Sequence, residues 1–98
     1  MGALPFQARC SGDVSSAMQR REPVCIDLMD AEGNVLGFAV GRVECGQRHR
    51  LRIRRGGKAA WVRVRSDSLR ADIPLREPRI VSPGGFFDME SPFRDDQP

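Results

Sequence analysis

From Pro23 onward, apolar and polar residues alternate with a period of two. Val24, Ile26 and Leu28 alternate with Cys25, Asp27 and Met29, the pattern of a strand with one buried face. Asp30-Ala-Glu-Gly-Asn34 supplies turn residues, and Val35-Leu-Gly-Phe-Ala-Val40 resumes the apolar pattern, so a β-hairpin is predicted here. Gly37 and Gly41 interrupt its second strand four residues apart and predict a bent or bulged strand. After a turn at Cys45-Gly46-Gln47, Arg48, Arg50, Arg52 and Arg54 alternate strictly with His49, Leu51 and Ile53. One face of that strand is cationic and the other apolar. Arg55-Gly-Gly-Lys58 reads as a third turn, followed by a strand with Ala60, Val62 and Val64 opposite Trp61, Arg63 and Arg65. Paired as a hairpin over 48–65 with both apolar sides on one core, these strands display six arginines and Trp61 on one surface.

The flanks are less periodic. Residues 1–12 mix Gly, Pro, Ser and scattered apolar residues and read as an arm, and Asp13 is placed to cap a short helix ending before Pro23. Ser66 to Leu69 reads as a turn, and Arg70-Ala-Asp-Ile-Pro-Leu75 as a short edge strand closed off by Pro74. Beyond Glu77 the chain is rich in Pro, Gly and acids. The expected organisation is an N-terminal arm with a short helix over 1–21, a β domain over 22–76 and an acidic, extended C-terminal arm over 77–98. The expected fold is mostly β: a small antiparallel meander or barrel, SH3-like or OB-like, of four to five strands with extended arms at both ends.

A length of 98 residues fits one domain with a thin stability margin. With 40% apolar and 30% charged residues, the chain has the composition of a folded globule rather than of a disordered or membrane protein. No apolar run is long enough to span a bilayer, and the first residues lack the basic and apolar regions of a signal peptide, so a cytoplasmic protein with no membrane partner is expected. Cys10, Cys25 and Cys45 are odd in number and widely spaced, which fits neither a disulfide framework nor a zinc pattern. They read as structural thiols.

Charge changes the picture more. Residues 1–41 hold three Arg against five acids, and residues 80–98 one Arg against four acids. Residues 42–79 hold eleven Arg and one Lys against four acids, a local surplus of eight that attracts polyanions or acidic protein surfaces. Arginines two apart on a strand recur about every 6.6 Å, near the spacing of successive phosphates, and Trp61 offers a ring for an unpaired base. The plain alternative is a solvated face whose charges pair with the acidic ends of the same chain. Trp61 is then a packing residue. An acidic protein is a further partner for the same face. Phe6, Phe86, Phe87 and Phe93 lie in poorly periodic segments and read as arm residues that fold back on the domain or dock into a partner, including a second copy of the chain.

Catalytic chemistry finds little support. The single histidine, His49, falls on the predicted core side, and no third group orients a Cys45–His49 pair. Asp30-Ala-Glu-Gly-Asn34 lacks the ligand spacing of a calcium loop, and neither glycine pair has the Walker spacing. No cofactor and no metal are expected. Two fragments, Gln19-Arg-Arg-Glu22 and Val81-Ser-Pro-Gly-Gly-Phe86, resemble the arginine segment and the glycine turn of PilZ domains. That resemblance implies a nucleotide-binding barrel. No Arg follows Arg20 or Arg21 at the family's four-residue spacing, and Ile80 stands where its Asp belongs.

The sequence thus supports first a non-enzymatic module whose Arg48, Arg50, Arg52, Arg54, Trp61, Arg63 and Arg65 dock nucleic acid through its phosphates. The second reading is a small assembly or inhibitor protein, of the kind viruses and mobile elements carry, that uses its Phe-bearing arms against protein. A degenerate PilZ-like barrel is the third.

Overall fold

The computed structural model describes residues 9–11, 14–44 and 46–91. The elements are β1 (Arg9–Ser11), α1 (Val14–Arg20), β2 (Pro23–Asp30), β3 (Val35–Arg42), β4 (Arg48–Ile53), β5 (Gly57–Ser66), β6 (Arg70–Val81) and β7 (Phe86–Glu90). All seven strands form one antiparallel sheet in the order β1-β6-β5-β2-β3-β4-β7, curled into a half-barrel.

Alternation builds the core. Val24, Ile26 and Leu28 of β2, Leu51 and Ile53 of β4, Val62 and Val64 of β5, Ala71 and Ile73 of β6 and Phe87 of β7 point inward into one apolar cluster. Ala17 of α1 joins it, with Val14 and Met18 packed alongside. The helix ends in a Schellman arrangement, in which Glu22 N–H donates to Ala17 O and Arg21 N–H to Met18 O. Arg21, at φ 51°, takes the left-handed position that glycine usually fills. No helix among the described residues is long and apolar enough to cross a membrane.

β2 and β3 form the expected hairpin, with Asp30 Oδ1 accepting from the Asn34 and Glu32 backbone amides and Gly33 at φ +89°. The bulge expected near the glycines is present: Leu28 faces Gly37 and Met29 faces Val35, leaving Leu36 as the extra residue. Gly37 is required by close approach, since a Cβ there would lie 2.5 Å from the backbone oxygen of Arg52.

Four expectations need correction. First, β4 and β5 are not a hairpin. The Arg54 and Arg55 amides both donate to Leu36 O, at 2.8 and 3.0 Å, and carry the chain past the end of β3. β5 then pairs with the free edge of β2, where Val62 and Val64 stand beside Leu28 and Ile26. Second, the core residue at the start of β5 is Ala59 rather than Ala60, because a register shift between Ala59 and Trp61 places Ala60 outside the alternation.

Third, Pro74 does not end its strand. β1 covers β6 only at Arg70–Asp72, so the next stretch of β6 is an edge whose outward amides need no partner, and Pro74 and Pro78 fit there. Fourth, residues 77–90 belong to the sheet rather than to an arm. A turn with Gly84 at φ +86° is stapled to β4 by Gly84 N–H on Ile53 O and Ile53 N–H on Gly85 O, and β7 follows. Arg9–Ser11 likewise enters the sheet as β1, so the expected small, mostly β, antiparallel barrel-like fold is built, among the described residues, from seven strands rather than four to five.

Candidate binding surface

The strand register decides what each arginine meets. On the outer face of the sheet, Arg52 of β4 stands between Phe38 of β3 and Phe86 of β7, each directly opposite it. Arg50 faces Asp88, and Arg48 faces Glu90. On β5, Arg63 stands between Asp27 of β2 and Asp72 of β6, and Arg65 between Cys25 and Arg70. β2 and β3 separate the two groups, three strand spacings or roughly 14 Å measured along the sheet. The six arginines share the outer face. Because the sheet curls, they form two surfaces rather than one.

These surfaces differ in charge. Arg65 binds Asp27 at 2.9 Å, and Asp27 is only 7% exposed although it lies on the outer side of the sheet. Arg63 and Arg70 both reach Asp72, at 3.1 and 3.6 Å. On β4, Arg50 pairs with Asp88 at 3.0 Å, with both side chains more than half exposed, a geometry worth little in water. The pairing raises the Arg50 pKa and lowers that of Asp88. Arg48, Arg52 and Arg54 have no carboxylate within ion-pair distance among the described residues.

Aromatic rings occupy the spaces between them. Phe38 is 42% and Phe86 58% exposed, and Val40 lies beside them at 71%. The Arg54 guanidinium sits 5.7 Å from the Phe38 ring centre, and that of Arg50 lies 5.1 Å from Phe86. Arg52, Ile53, Arg54 and Gly84 line a hollow of about 420 Å³ at the β7 side of this surface.

Trp61 lies elsewhere. It borders a groove of about 590 Å³ on the β2–β3 turn side, lined also by Asp30, Glu32, Arg63, Asp72 and Pro74. Three carboxylates against one paired arginine make this groove unfavourable for phosphate. Phe87, read from sequence as an arm residue, is buried in the core with Arg79 over its ring at 5.4 Å. Phe6, Phe93 and Cys45 lie outside the described residues.

His49 is buried with its ring over Gly41, where a Cβ would meet its Cε1 at 2.8 Å. Burial lowers its pKa, while Glu44 opposes that shift. Burial likewise raises the Cys25 thiol, with Asp27 adding to it. Glu22 is a buried clasp: the hydroxyl of Ser68 above all, then Arg20 and the hydroxyl of Ser66, donate to its carboxylate and together lower its pKa to about 2. The clasp ties the start of β2 to the β5–β6 turn and leaves Glu22 no free acceptor for a ligand. The two PilZ-like fragments lie at opposite ends of β2, so they form no common site. Gln19–Glu22 precedes its first residue, whereas Val81 pairs with Gly57 beyond its last.

Sequence reasoning missed Phe38. The run Val35–Val40 is apolar on both faces, so its period alone does not tell inside from outside. The signal lies in Arg42, which shares parity with Phe38 and Val40, while the alternate positions Gly37, Ala39 and Gly41 are all small. No protein family, no characterised protein and no solved structure matches this chain.

Proposed function

We propose that the chain is a non-enzymatic binding module whose β3–β4–β7 outer face docks a polyanion, nucleic acid through its phosphates. One observation carries this reading: Arg48 and Arg52 of β4, and Arg54 one residue past its end, continue one alternating series with Arg50 and have no carboxylate within ion-pair distance among the described residues. Adjacent members of such a series stand about 6.6 Å apart on a strand, within reach of successive phosphates. Arg50 joins them at little cost, because phosphate replaces an exposed carboxylate that gave it little. Arg63, Arg65 and Trp61, part of the site expected from sequence, are left out because their neighbours are acidic.

The test is fluorescence anisotropy of labelled single- and double-stranded oligonucleotides against the purified protein, at low and near-physiological salt. Binding that weakens steeply as salt rises supports phosphate docking. A second reading, docking on an acidic protein, is favoured by the exposed Phe38, Val40 and Phe86. Contacts made through those rings persist at high salt, since apolar burial is not screened.

A further inference from the structure

The arginines of the β4 face account for phosphates, but they leave two large exposed rings unexplained. Phe38 and Phe86 flank Arg52 in one register row, on β3 and β7, two strand spacings or about 10 Å apart. Neither ring is needed by the core, which takes Phe87 from the same strand. Water gives exposed rings no stabilisation, so their place among guanidinium groups of which only Arg50 is ion-paired points to a ligand that is both anionic and flat.

We propose that Phe38 and Phe86 are stacking platforms for unpaired bases, so that the partner of this face is a single-stranded nucleic acid. The proposal rests on the phosphate-docking reading and adds what the rings do. In a duplex the bases stack on one another and present only their edges, so a ring on an open sheet surface reaches a base face only when the strand is unpaired. Arg54 on Phe38 and Arg50 on Phe86 hold each ring from one side while much of it stays open. The hollow bounded by Arg52, Ile53, Arg54 and Gly84 lies beside this row, and Gly84 contributes no side chain to obstruct it. Backbone phosphates then run along the β4 arginines, with bases turned toward β3 and β7. Base stacking tolerates any base, because every base has a π face, so little sequence preference is expected.

The test uses the full chain and three fluorescent probes of equal length: oligothymidylate, an abasic deoxyribose-phosphate strand, and a blunt duplex. The wild type is expected to bind oligothymidylate more tightly than the abasic strand by roughly fivefold to a hundredfold per engaged ring. The Phe38→Leu/Phe86→Leu variant should bind both single strands alike, at the wild-type abasic affinity. The wild-type ratio needs no variant, so a folding defect cannot imitate the result. Equal wild-type affinity for the oligothymidylate and abasic strands, or preference for the duplex, overturns the stacking platform and leaves phosphate docking standing. Absence of binding to all three probes at low salt overturns both.

Discussion

Two strands of this molecule carry the same alternation of arginine and apolar residues, and the sheet treats them differently. β5 lies between β2 and β6, which place Asp27 and Asp72 beside Arg63, so that Asp27 pairs with Arg65 and Asp72 is shared with Arg70. β4 lies between β3 and β7, which place Phe38 and Phe86 beside Arg52; Arg48, Arg52 and Arg54 make no ion pair among the described residues, although Glu90 stands opposite Arg48. An arginine's availability is therefore set by its lateral neighbours, which the local sequence does not contain. The β5 arginines are structural ion pairs. On the β4 face only Arg50 is in an ion pair among the described residues, and that pair is exposed.

Charge reversal separates the two surfaces most strongly. Arg52→Glu with Arg54→Glu should weaken oligonucleotide binding roughly a hundredfold at low salt and lower the slope of log affinity against log salt by about two. Arg63→Glu with Arg65→Glu should leave binding within about threefold, because those guanidinium groups are already paired. Equal losses from the two pairs, read by anisotropy, would erase the distinction.

Next comes the packing that positions the open surface. Gly37→Ala places a methyl against the Arg52 carbonyl and should cost about 1–3 kcal/mol of stability by pushing β4 from β3. Chemical denaturation measures it. A neutral result would mean that the two strands do not approach as closely as described.

Smaller effects follow from single truncations. Arg65→Ala leaves the buried Asp27 without its cation and should cost about 1 kcal/mol, whereas Arg52→Ala should change stability by less than about 0.5 kcal/mol. Thermal melts of both variants, with the order reversed, would show that β5 rather than β4 carries the free charges.

The two sides also differ in their response to acid. His49 lies under β3 and β4 with its pKa lowered by burial, so its contribution is complete above its ordinary value of 6.5 and falls as pH drops below that. Glu22, on the β2–β5–β6 side, contributes fully above its ordinary value of 4.5, and its contribution drains away as pH falls toward about 2. Melting temperature against pH should therefore show a shallow limb below pH 6.5 that His49→Leu flattens, and a lower limb that Glu22→Gln flattens.

Much of this was legible in the sequence. The β2–β3 hairpin, the α1 helix, the inward His49 and the outward Arg48 to Arg54 all follow from local periodicity and turn chemistry. The pairing of β4 and β5 was not legible, because a period of two fixes which face a residue takes but never which strand lies beside it. Pro83, Gly84 and Gly85 gave the last segment the composition of a loose arm, and that hid the alternation in Phe86 to Glu90, where Phe87 and Met89 turn inward. As a result Trp61, the one aromatic residue in the basic stretch, drew the stacking role that we propose for Phe38 and Phe86.

The most direct test of the β4 surface is a two-dimensional ¹⁵N–¹H NMR titration of the full chain with a short oligothymidylate at low salt. Shifts should concentrate at Phe38, Val40, Arg48 to Arg54 and Phe86 to Asp88, with Trp61 and the Asp30–Gly33 turn unmoved. Shifts centred on Trp61, Arg63 and Arg65, or none at saturating oligonucleotide, would contradict it.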